Sequence, residues 1–282
     1  MRFFITLSFK GSSYCGWQIQ PDQPSVQEEV ERALTIFLGE KCEVTGAGRT
    51  DAGVNAINYV AHFDSDNPLP FQDIARLIYK INAILTSDIV VHNIYQVDPM
   101  AHARFDAVNR TYNYFIHTRK DPFLDQYSYY FPYPVNIDKM NEAAMFLIGE
   151  KDFTSMAKLH SDAKTNICTV TDAFWAAGSP VGVSPLSPTA FTGVTSACYG
   201  QRIDNSDTFC FTISANRFLR NMVRAIVGSL LEVGRGKHEP EWITEILQQK
   251  DRCSAGSSVP AHPLFLTKIE YPDRRLDWVR NF

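Results

Sequence analysis

Phe3, Ile5, Leu7 and Phe9 alternate with polar Thr6 and Ser8, the period-two pattern of a half-buried strand. After a loop rich in glycine and proline, Ser25-Val26-Gln27-Glu28 reads as a capping box. The serine oxygen can accept from early N–H groups of the helix while Glu28 reaches back. Val26, Val30, Ala33, Leu34, Phe37 and Leu38 make one face of that predicted helix, and Gly39 stops it. Ile57, Tyr59, Ala61 and Phe63 alternate as a second strand. A helix is predicted from about Pro70 to Leu85, with Ile74, Leu77, Ile78, Ile81 and Leu85 on one stripe, and Ile89 to Val97 reads as a further strand.

The second half rhymes with the first. Tyr112, Tyr114 and Ile116 alternate with Asn113, Phe115 and His117 as a strand, and Met140, Ala143, Ala144, Leu147 and Ile148 form a helix ended by Gly149. Ile167 to Trp175 and Thr208 to Ser214 read as strands, followed by a long helix from about Asn216 to Val233 and a last one starting near Pro240. This order predicts two related α+β halves, divided as residues 1–105 and 106–282. From Ala177 to Gly200 there is no charged residue, and Ser, Pro, Gly, Thr and Ala dominate. Few loops are so long, so an insertion between two strands is expected at about 177–205.

Composition narrows the class. The 282 residues are 45% hydrophobic and 12% aromatic, enough for a real core and too apolar for a disordered chain. Lysine and arginine number 27 against 31 aspartates and glutamates, a net charge of −4, which excludes a uniformly basic coat protein but leaves room for a local basic face. The N-terminus is too short and polar for a signal peptide, and no apolar run approaches the ~20 residues of a membrane span. Cys15, Cys42, Cys168, Cys198, Cys210 and Cys253 are scattered without a C-x-x-C or a Cys/His group. Reduced thiols in the cytoplasm are the expectation, and no metal site or membrane partner is.

Three segments hold candidate chemistry. The densest is Thr45-Gly46-Ala47-Gly48-Arg49-Thr50-Asp51-Ala52-Gly53-Val54. Its glycines allow tight turns and close approach by a ligand, and in extended backbone Arg49 and Asp51 share a face. A dinucleotide site would need glycine in place of Asp51, whose charge would repel pyrophosphate. A plain turn with a solvated aspartate stands level with the ligand reading on spacing alone. The second segment, Arg217 to Lys237, carries five basic residues against Glu232. On one continuous helix Arg217, Arg220 and Arg224 fall within a wedge of ~60°, with Gly228 on the same side. Phosphate recognition and a solvated basic face both fit. In the third, Ala103 to Tyr114, two arginines alternate with aromatics, as where a base is stacked and its backbone held. Tyr112 and Tyr114 on one face of a strand are more often core residues.

Together, Gly46-Ala47-Gly48-Arg49-Thr50-Asp51-Ala52-Gly53-Val54, Gly16-Trp17-Gln18, Ala103-Arg104-Phe105, Arg110-x-Tyr112-x-Tyr114, Gly149-Glu150-x-Asp152-Phe153-x-Ser155 and Met222-Val223-Arg224-x-Ile226-Val227-Gly228 resemble the TruA family of tRNA pseudouridine synthases. They occur in family order over nearly the whole chain. The resemblance implies isomerisation of uridine to pseudouridine at positions 38–40 of the tRNA anticodon stem-loop, by a homodimer without cofactor. It implies an α+β fold of two similar halves joined through one extended antiparallel sheet, with the active-site cleft between them. By motif, the catalytic aspartate falls on Asp51, the active-site tyrosine on Tyr112 and the arginine paired with the aspartate on Arg224. Arg49 matches the arginine that assists base flipping, with Arg110, Arg217 and Arg220 as further candidates for substrate contact. Asn55 and Asn221 stand where the family usually has histidine, and Asn58 where glutamine is common, so no role passes to them. An RNA-binding module without chemistry and a nucleotide-dependent enzyme are the rival functions. Asp51, Tyr112 and Arg224 together favour the enzyme over the first, and Asp51 disfavours the second.

Overall fold

The computed structural model describes residues 1–66, 69, 74–158, 165–178 and 207–272. The chain divides into two compact units, Met1–Arg110 with the segment from Leu266 onward, and Thr111–Phe265. The described residues Leu266 to Pro272 thus fall in the first unit, whereas the division at 105/106 groups them with the second. Most of the expected insertion at 177–205 lies outside the described residues. Among the described residues no helix is long and apolar enough to cross a membrane.

In the first unit β1 (Arg2–Phe9) is flanked by antiparallel neighbours. These are β3 (Asn55–Asp64), with Phe3 opposite Phe63 and Ile5 opposite Ala61, and β4 (Ile89–Val97). The short β2 (Val44–Gly46) adds to β3. Helix α1 (Val26–Leu38) keeps its predicted ends: the Ser25 side chain accepts from the Glu28 amide at 3.3 Å, and Gly39 sits at φ 72° with its N–H on the Thr35 carbonyl. Helix α2 spans Ile74–Ile84 and buries Leu77 and Ile81. In β3 every residue but Asn58 and Asp64 is buried, so this strand is covered on both faces rather than the one its alternation suggests.

The second unit starts within β5 (Asn109–His117), against which β6 (Tyr129–Tyr130) lies parallel. That pairing makes the strand arrangement mixed, where an antiparallel sheet is expected. Helix α3 (Ile137–Met145) and β7 (Gly149–Asp152) follow, then β8 (Ile167–Ala177) and β9 (Thr208–Ala215), with strand order β5-β9-β8-β7. β7 reads Gly-Glu-Lys-Asp, without an apolar residue to betray it. Helices α4 (Met222–Gly234) and α5 (Trp242–Gln249) come next, and β10 (Leu264–Glu270) leads back to the first unit, where it neighbours β3.

The start of α4 corrects the sequence pattern, which runs this helix from Asn216. Asn216 instead extends the β8–β9 hairpin, donating its N–H to the Thr169 carbonyl at 3.1 Å and accepting the Thr169 N–H on Oδ1 at 2.9 Å. Asn221 then takes φ 66°, a left-handed conformation that a right-handed helix cannot pass through. Arg217 and Arg220 therefore precede the helix and share no helical wedge with Arg224. From Met222 onward α4 is buried nearly all round, Arg224 and Glu232 being only partly exposed.

Candidate active site

The Asp51 loop hangs from β3. Gly46 pairs with Ala61, and the Ala47 N–H donates to the Val60 carbonyl at 2.9 Å. Beneath it, Tyr59 stacks on Trp17 at 4.2 Å and meets Phe9 edge-on at 5.5 Å. The Tyr59 hydroxyl donates to the Gly48 carbonyl, and the Gly48 N–H donates back to it at 3.4 Å. A Cβ at Gly46 would strike that hydroxyl and the Trp17 indole nitrogen. Glycine is thus imposed at this position by close packing, before any ligand is considered.

Downstream, the chain turns back on itself. The Val54 N–H donates to the Asp51 carbonyl at 3.2 Å, and Gly53 takes φ 79° inside the turn, as a turn with a left-handed third residue requires. Arg49 is exposed, Thr50 buried and Asp51 half-buried, an in–out alternation that turns Arg49 and Asp51 outward together. The Thr50 hydroxyl is buried without a hydrogen-bond partner among the described residues. Asn55 is buried and its Oδ1 accepts the Gly11 N–H at 2.9 Å, while Asn58 Nδ2 donates to the Thr267 carbonyl at 3.0 Å. Asn55 and Asn58, two of the three asparagines that depart from the family pattern, thus bond to backbone groups.

Arg110, expected to meet substrate, directs its guanidinium to three carbonyls: Ala107 at 2.8 Å, Arg104 at 2.8 Å and Ala47 at 3.2 Å. It ties the 104–107 turn to the base of the Asp51 loop. Two histidines order the same turn. His62 Nδ1 accepts the Ala103 N–H at 3.1 Å, and His102 Nδ1 accepts those of Arg104 and Phe105 at 3.1 and 3.3 Å. Burial, then the charges of Arg2 and His102, push His62 down to about 4, so at neutral pH its ring is free to accept.

In the second unit Tyr112 is half-buried and meets Phe218 edge-on at 5.0 Å. Tyr114 differs: it is fully buried, donates to the Pro260 carbonyl at 3.0 Å, and has its phenol pushed well above the usual tyrosine range by that burial. Of the two, Tyr114 is the core residue. Arg224 Nε donates to the Val259 carbonyl at 2.7 Å, and the Val259 N–H returns to the Arg224 carbonyl at 3.2 Å. Asn221 Nδ2 and Arg252 both donate to the Ser258 hydroxyl. The open side of Gly228 admits this chain's own Ser257 carbonyl. Arg217 is half-buried and Arg220 exposed, its carbonyl accepting from the Lys158 N–H. The pattern of residues gave no sign that Tyr59 and Trp17 support the Asp51 loop, beyond the Gly16-Trp17-Gln18 motif itself.

A family model described as tRNA pseudouridine synthase matches residues 143–272. The chain is 47% identical to a tRNA pseudouridine synthase A of Bacteroides fragilis over 96% of each chain. It is 44% identical to that of Parabacteroides distasonis over 96% of each. The Francisella tularensis subsp. novicida protein of the same name is 36% identical over 96% of this chain and 95% of its own. Identity of this degree along almost the full length of both partners, with the glycine-rich aspartate loop intact, places the chain in the tRNA pseudouridine synthase A (TruA) family.

Proposed function

We propose that this tRNA uridine isomerase acts at positions 38–40 of the anticodon stem-loop, as a cytoplasmic homodimer, with Asp51 as its catalytic carboxylate. Tyr112 stands against the target base, Arg224 is the cation that the family motif assigns to the carboxylate, and Arg49 assists flipping. Arg217 and Arg220 meet tRNA phosphates. The reaction breaks the C1′–N1 bond, forms C1′–C5, releases the C5 hydrogen as a proton and leaves N1 protonated. Atoms and electrons balance without a co-reactant.

The chemistry asks for what these residues supply. A base must leave its stack at a cost of a few kcal/mol, which cationic and aromatic groups offset. A carboxylate must stay ionised away from bulk water, and a nearby guanidinium lowers its pKa and orients it. Tyr112 serves as a stacking face or as a late proton acceptor. The observation that carries this reading is the braced turn that holds Asp51 half-buried beside an outward-facing Arg49.

The test is tritium release from unmodified tRNA carrying uridine labelled at C5. Release is expected without added cofactor and in the presence of EDTA, because C–C bond formation expels that hydrogen. No release from a cognate tRNA would overturn the reading.

A further inference from the structure

We propose that Arg104 and Phe105 form a second tRNA contact beside the Asp51 loop: Arg104 takes a backbone phosphate and Phe105 stacks on an unpaired base of the nucleotide flanking the target. This rests on the tRNA isomerase reading and adds two residues to it. Phe105 is 75% exposed, and its backbone lies in a hydrogen-bonded turn. Arg104 and Phe105 both donate their N–H groups to His102 Nδ1, the Arg104 carbonyl accepts from Arg110, and the His102 N–H is bound by Asp106 Oδ2 at 2.8 Å. The Phe105 ring leans on His102 at 4.2 Å, with the Arg104 guanidinium 5.7 Å from its centroid. An aromatic presented to water on an ordered turn, with a cation beside it, is the arrangement that stacks a base and holds its phosphate.

Arg104 also lines a groove of about 210 Å³ with Trp17, Gln18, Gly46, Gly48 and Arg49. Its lining contains two arginines and no acid, and among the described residues no carboxylate pairs with Arg104. Such a groove favours an anion. Arg110 fixes this turn against Ala47, so a nucleotide seated there is held in a set relation to the loop that ends in Asp51.

The experiment measures binding of an unmodified tRNA transcript across a salt series for wild type, Arg104→Ala, Phe105→Leu and Phe105→Tyr, together with the mass of each protein in solution. Both side chains are exposed, so the variants should fold as wild type does. Arg104→Ala should weaken binding several-fold and flatten the slope of log K against log salt by roughly 0.7–0.9. Phe105→Leu should weaken it about tenfold, and Phe105→Tyr, which keeps the ring, should restore it. Unchanged affinity and slope in both Arg104→Ala and Phe105→Leu would overturn the proposal. So would loss of self-association with tRNA binding intact, which would make this turn an interface between copies. Tritium release by wild type is scored separately: binding that depends on Phe105 without release would sink the isomerase reading and leave the contact standing.

Discussion

Arg110 donates to the Ala47 carbonyl at 3.2 Å, bridging from the start of β5 to the strand end from which the Asp51 loop departs. The same guanidinium holds the carbonyls of Arg104 and Ala107. Three diverging carbonyls suit a planar fork of donors and not a single ammonium. Arg110→Lys should therefore behave much like Arg110→Ala. Both should lose about 1–3 kcal/mol of stability and slow single-turnover isomerisation, while the salt slope of tRNA binding stays near that of wild type. A slope flattened by a full phosphate contact would show that Arg110 meets tRNA directly.

Asp51→Asn should keep the fold and most of the tRNA affinity, since it removes no cation. Turnover should drop by several orders of magnitude, as for loss of a covalent or general-base group. Substantial residual tritium release would assign the chemistry to another residue.

Tyr59→Phe tests the brace beneath the loop. The Gly48 carbonyl would lose its donor, and leaving such a group unsatisfied costs about 1–3 kcal/mol. Thermal unfolding should shift down accordingly, and the rate with bound tRNA should fall although the Tyr59 side chain is fully buried. Wild-type turnover in a destabilised Tyr59→Phe protein would separate the brace from catalysis.

The two arginines around the start of α4 should divide. Arg220→Ala removes an exposed cation from the link before the helix and should weaken tRNA binding and flatten its salt slope by about one unit, with saturated turnover retained. Arg224→Ala should mainly depress turnover, and it also removes the bond to the Val259 carbonyl. If Arg220→Ala leaves both affinity and slope unchanged, tRNA docks elsewhere.

Stability should fall as the solution is acidified from about pH 6.5 to 4. His62 is neutral in the fold with its pKa down at about 4, whereas the unfolded chain protonates it near 6.5. Protons thus bind the unfolded state more strongly in that window, and stability present above it is lost on the way down. Burial also lowers His92, His102, His117 and His262, which adds in the same direction. His62→Asn keeps an acceptor for the Ala103 N–H and should flatten the profile in chemical denaturation. An equally steep profile in that variant would place the acid sensitivity elsewhere.

The sequence alone determined what short-range physics decides. Ser25 and Gly39 bound α1 because a cap bonds to groups three or four residues away, and β1 announced itself by its alternation. The glycines around Asp51 marked a loop with a demanding backbone, and the aspartate in it disfavoured a pyrophosphate site by charge. Tertiary structure decided the rest. Nothing local says that Gly46 lies against Tyr59 and Trp17, or that Gly228 makes room for Ser257. The helical pattern from Asn216 was real as a pattern, but Asn216 pairs with Thr169, 47 positions away, and the hairpin took those residues from the helix. Family resemblance sets Arg110 toward substrate, and nothing local says that Ala47, 63 positions earlier in the chain, lies within reach of its guanidinium. Patterns of polarity report which side of an element is buried; which buried or exposed group an arginine meets depends on contacts that only chain folding brings together.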